Sequence, residues 1–163
     1  METWSNLEEF WEFDATRSGW GTQVLEIIEE TLPVSGLRFS WNVPFVQVRG
    51  KQGQPRSLLY LVYKSPAHFN QTYLVPHRNP TQEPELYLGF MNGAKLNDFG
   101  NLFERTNHKM VKYYWVNEIE ALVRPQKVAR NESSLHPGKK EPFQNLLEES
   151  YETLWGYPPG VTA

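Results

Sequence analysis

Leu37-Arg38-Phe39-Ser40-Trp41 alternates apolar and polar side chains, and that alternation decides the fold. A two-residue period is the signature of a strand with one face buried. Directly before it, Val24, Leu25, Ile28 and Leu32 recur at helical spacing, with Glu26, Glu29 and Glu30 on the opposite face. Pro33 stands between the two rhythms and ends the helix, because it has no N–H to donate and its ring clashes with the preceding turn.

Working towards the N-terminus, Ser5-Asn6-Leu7-Glu8 reads as a capping-box start. It opens a helix over 5–15 with Leu7, Phe10 and Trp11 in one stripe and Asp14 at the next position of the same spacing. Working towards the C-terminus, Phe45 to Arg49 predicts a second strand and Gly50 to Pro55 a turn. Ser57 to Tyr63 is almost wholly apolar and is placed centrally in the sheet. Residues 69–75 and 85–90 are further strand candidates, separated by a polar, proline-bearing loop from His77 to Pro84. Met110 to Val116 predicts the last strand, and Asn117-Glu118-Ile119-Glu120 the start of a helix that Pro125 kinks or restarts. Residues 131–142 read as an exposed linker. A final helix over Phe143 to Leu154 carries Phe143, Leu146, Leu147, Tyr151 and Leu154 on one side, before an irregular tail from Gly156 to Gly160 that is expected to fray.

The order is helices, antiparallel strands, helices. The expected fold is therefore α+β: one domain over 1–163, with a sheet of about five strands and N- and C-terminal helices packed on it. Its 163 residues suffice to bury a core without staples. The absence of cysteine excludes disulfides, thiolate metal sites and cysteine nucleophiles. The first residues lack the pattern of a signal peptide, and no apolar run approaches the roughly 20 residues that span a bilayer. The expectation is a cytoplasmic protein, monomer or homodimer, with no membrane partner. A net charge of −3 gives no broad attraction for nucleic acid, so none is expected as a partner.

Several groups are candidate sites. Gly89 and Gly93 flank Phe90, Met91 and Asn92, and could let a backbone approach a ligand or only serve a bulge or turn. Trp41, Phe45, Tyr60 and Phe90, with Asn92 and Gly93, make a possible aromatic cleft for a small ligand or a peptide, with Lys109 as a cation beside it. Arg105, Lys109 and Lys112 read better as a solvated edge than as an anion site. Glu8 and Glu12, and again Glu26 and Glu30, are i,i+4 carboxylate pairs whose repulsion a hard cation would relieve. The four histidines have no metal-ligand spacing, and neither H-E-x-x-H nor G-x-S-x-G occurs. No residue set passes as an active site.

Trp41-Asn42-Val43-Pro44-Phe45, the apolar Leu58-Leu59-Tyr60-Leu61, and Leu88-Gly89-Phe90 through Gly93-Ala94 and Leu96 to Asp98 follow one another in a set order. Gly100-Asn101-Leu102, Lys109 to Tyr113 and the helix start at Asn117 complete it. This succession resembles the YdhG-like, DUF1801 family over about 20–130, with the L-G-F…G-A…L…D segment as its most specific part. Asn107-His108 departs from the family's glycine before the lysine; 70–85 reads as an insertion, and a helical extension occupies about 140–155. The resemblance implies helices on one face of an antiparallel sheet. It implies function less directly, since the family's one described activity is that of a frataxin-like iron chaperone binding iron through surface carboxylates. By that analogy Glu8, Glu12, Glu26 and Glu30 would hold iron.

Overall fold

The computed structural model describes residues 3–17, 19–64, 85–97, 103–104, 115–116, 126–128, 131–136 and 140–160. Helix α1 (Leu7–Thr16) and helix α2 (Trp20–Thr31) precede strands β1 (Val34–Ser40), β2 (Val43–Val48), β3 (Arg56–Lys64) and β4 (Glu85–Phe90). A short 3-10 turn (Gly93–Lys95) follows, then β5 (Phe103–Glu104), β6 (Trp115–Val116), β7 (Gln126–Val128), β8 (Asn131–His136) and helix α3 (Lys140–Trp155). The main sheet runs β1-β2-β3-β4-β6-β5, with every pairing antiparallel. The α+β architecture therefore holds. Among the described residues four full strands form the body of the sheet, with two residues each of β6 and β5 beyond β4.

The predicted helix start shifts by one residue. Asn6, not Ser5, is the N-cap: its side-chain oxygen accepts the Glu9 N–H at 2.9 Å, and Glu9 reaches back to the Ser5 N–H at 2.7 Å. Asparagine is at least as good a cap as serine, and the N3 glutamate follows it. α1 buries Phe10, α2 buries Val24, Ile27 and Ile28, and α3 buries Phe143, Leu146, Leu147 and Tyr151. These pack with Val46, Val48, Leu59, Leu61, Tyr63, Leu86, Leu88 and Phe90 into the main core. Fully burying side chains of this size contributes about 1.5–3 kcal/mol each.

Two expectations near the C-terminus are corrected. Residues 131–136 are not linker: they form β8, which pairs with β7 in a separate two-stranded sheet. The segment is polar, but ladder hydrogen bonds come from the backbone and do not need apolar side chains. Helix α3 spans Lys140–Trp155, the place expected for the helical extension at about 140–155, and it admits Pro142 in its first turn, where an N–H has no intrahelical acceptor. The tail does not fray at Tyr157: its hydroxyl accepts the Lys51 N–H at 2.6 Å, and the Lys51 ammonium lies 4.6 Å from its ring centre. Beside it, Arg56 stacks over Trp155 at 4.3 Å and donates to the Leu154 carbonyl at 3.1 Å. A Cβ at Gly50 would stand 2.5 Å from the Trp155 ring, so this clasp closes only over glycine.

The predicted strand at 69–75, the loop from His77 to Pro84 and the helix from Asn117 lie outside the described residues, as do Met110 to Tyr114.

Candidate functional site

Among the described residues Asp14 is the one buried charge and Trp41 the one large hydrophobic side chain left exposed. Asp14 is fully buried. Its carboxylate accepts the Gly21 N–H at 2.7 Å, the Thr22 N–H at 3.1 Å, the Thr22 hydroxyl at 3.1 Å, and a hydrogen bond from the Tyr63 hydroxyl. It thereby caps the N-terminus of α2, where the left-handed Gly19 supplies no side-chain cap. Gly21 is required by the approach, since a Cβ there would meet Asp14 Oδ1 at 2.6 Å. Burial, and then the bond to Asp14, push the Tyr63 phenol far above its ordinary pKa. The site is closed and satisfied, and it ties α1, α2 and β3 together.

Trp41 is the reverse. Its side chain is 89% exposed. It forms, with Asn42, the two-residue loop between Ser40 and Val43, with φ of +53° and +63°. Positive φ at both central residues is the pattern of a type I′ turn, whose twist matches a hairpin and which favours Asn-Gly. A tryptophan there carries backbone strain of about 1 kcal/mol. Its indole returns no core burial for it.

The structure divides the predicted aromatic cleft. Paired residues in an antiparallel ladder share a face, so Arg38, Phe45, Tyr60 and Gly89 form one row across the sheet. Phe45 and Tyr60 meet edge to face at 5.1 Å beside the buried Val43, Val62 and Tyr87. Phe90 stands opposite Leu59 and is buried in the main core on the other face. Phe45 and Tyr60 therefore lie on the face away from the main core, Trp41 sits in the turn at the tip of the hairpin, and Phe90 joins neither. Gly89 makes neither a bulge nor a left-handed turn. The Tyr60 ring lies over it, where a Cβ would come within 2.4 Å. Asn92 precedes the Gly93–Lys95 turn, its carbonyl accepting the Lys95 N–H at 2.9 Å, and Gly93 is buried. Lys109, Arg105 and Lys112 lie outside the described residues.

Glu8, Glu12, Glu26 and Glu30 are exposed. Glu30 pairs with Lys140 at 3.4 Å. Among the described residues no three histidine, aspartate or glutamate side chains are grouped so as to hold a metal ion, so the four predicted ligands do not converge. A shallow groove of about 370 Å³ lies between the end of α2 and the tail, lined by Leu32, Pro33, Pro158 and Pro159 with Glu30 and Glu148 at its sides.

No family model, curated protein or solved structure matches the chain. No helix among the described residues is long and apolar enough to cross a membrane. The geometry of the hairpin is thus the guide to function.

Proposed function

We propose that the protein is a non-catalytic binding module that contacts a protein or peptide through the tip and outer side of the β1–β2 hairpin. One observation carries the reading: Trp41 is 89% exposed on a left-handed backbone. The backbone opposes folding and the exposed side chain contributes no burial to offset it, and tryptophan is among the residues enriched where binding energy concentrates. Phe45 and Tyr60, half-buried on the sheet face away from the main core, add apolar surface, and Arg38 adds a positive charge to the same row. The likeness to the YdhG-like family belongs to the same proposal and rests on the segment from Leu88 through Asp98.

The test is a nuclear magnetic resonance titration that follows the indole N–H signals of the six tryptophans, with Trp41 assigned from its loss in Trp41→Gly. A pooled library of unstructured peptides supplies the ligands. The proposal expects the Trp41 signal to move first and furthest. Shifts confined to other tryptophans, or none with any pool, contradict it.

A further inference from the structure

β1 is the end strand of the main sheet, and among the described residues β2 is its only ladder partner. Which of its backbone groups face outward follows from the hairpin. A two-residue loop closes on a hydrogen-bonded pair, here Ser40 and Val43, and such pairs alternate along the ladder. Arg38 and Phe45 form the next one. Leu37 and Phe39 therefore turn their N–H and C=O groups away from β2, towards the free edge. The register slips between Val34 and Gly36, so the regular edge begins at Leu37 and ends at the Trp41 turn.

The usual guards of an exposed edge are weak here. Edge strands are ordinarily blunted by prolines, inward charges, bulges or a covering segment. Between Leu37 and Trp41 there is no proline, and Arg38 is the one charge. Leu37 and Phe39 pack against the core yet remain half-exposed, leaving apolar surface beside the open backbone groups.

We infer that this edge takes an extended peptide as an additional strand, antiparallel or parallel to β1, with Trp41 gripping one end. The inference rests on the binding reading above and specifies the ligand's class. Strand addition uses the main chain for affinity and alternating side chains for specificity. Residues of the peptide on the core side would cover Leu37 and Phe39, and are apolar. The residue on the other side, beside Arg38, is a carboxylate. Arg38 also disfavours a second copy of this chain as the occupant. The symmetric antiparallel register that uses both outward pairs, Leu37 with Phe39 and Phe39 with Leu37, sets Arg38 opposite its own copy, and like charges directly opposed destabilise a ladder.

The experiment titrates the full chain, by calorimetry, with blocked peptides the length of β1. One alternates valine and glutamate, a second alternates valine and lysine, and a third is the acidic peptide N-methylated at every second amide, in both phases. The inference expects the acidic peptide to bind, and to bind about tenfold more weakly to Arg38→Glu, against which the lysine peptide gains. N-methylation in one phase should abolish binding and in the other leave it, because only one row of amides meets the edge. Equal weakening in both phases, or in neither, overturns strand addition even if Trp41 still responds. Preference for the lysine peptide by the wild-type chain overturns the acidic class. A wild-type chain that sediments as a dimer, and reverts to monomer as Leu37→Pro, makes a second copy the occupant and overturns the peptide. Failure of every peptide, with no response at Trp41, removes both the inference and the reading under it.

Discussion

Asp14 and Trp41 break the same rule in opposite directions, and the structure resolves only one of them. A carboxylate without exposure is a large liability unless every oxygen is satisfied. Asp14 receives hydrogen bonds from Gly21, Thr22 and Tyr63, so its burial becomes a junction between helices and sheet. The Trp41 indole is left in solvent at a strained turn. An anomaly answered inside the fold is architecture, and one left unanswered points outside it.

The largest effect expected of a single change is at the first region. Asp14→Ala leaves the Gly21 N–H and the Tyr63 hydroxyl without an acceptor in the core. Urea denaturation should register a loss of about 3–4 kcal/mol. A loss under about 1 kcal/mol would mean that the junction carries little and would blur the contrast with Trp41.

Gly89→Ala comes next. The new methyl collides with the Tyr60 ring and must displace it, costing about 1–3 kcal/mol. Alanine is a better strand former than glycine, so an unchanged or raised melting temperature would show that Tyr60 does not lie where the structure has it.

Tyr63→Phe sharpens the comparison through pH. The Tyr63 phenol has a folded pKa raised above its unfolded value of about 10, so the folded state holds a proton the unfolded state releases. The stability it contributes is complete below about pH 10 and falls as pH rises beyond it. Wild type should therefore lose stability more steeply than Tyr63→Phe between about pH 10 and 11.5, by at most about 1.4 kcal/mol per pH unit. Parallel curves for the two proteins would contradict the junction.

How much of this was legible in the sequence depends on which interactions set each feature. The switch from helical to alternating rhythm across Pro33 was readable because burying one face imposes that rhythm on the chain itself. Asp14 also left a signal, a polar residue at the next step of the stripe through Leu7, Phe10 and Trp11. Its three partners are distant or backbone groups, and no local pattern announces them. The face occupied by Phe90 follows from its pairing with Leu59, and cross-strand register is not written in either strand alone. Trp41 continued the alternation of β1, so it read as the end of a strand. The type I′ turn there lacks the glycine that normally marks one. The polar β8 and the proline in the first turn of α3 were hidden for a similar reason: backbone bonding, not side-chain pattern, makes them regular.

The smallest stability effect is also the most decisive. Trp41→Gly removes a side chain that the fold does not use and relieves a backbone that glycine adopts freely, partly offset by a more flexible unfolded chain. Measured by urea unfolding, the variant should be between equal to wild type and about 1 kcal/mol more stable. A variant destabilised by more than about 1 kcal/mol would show that the indole serves the fold, and the claim that it is held out for a partner would fail.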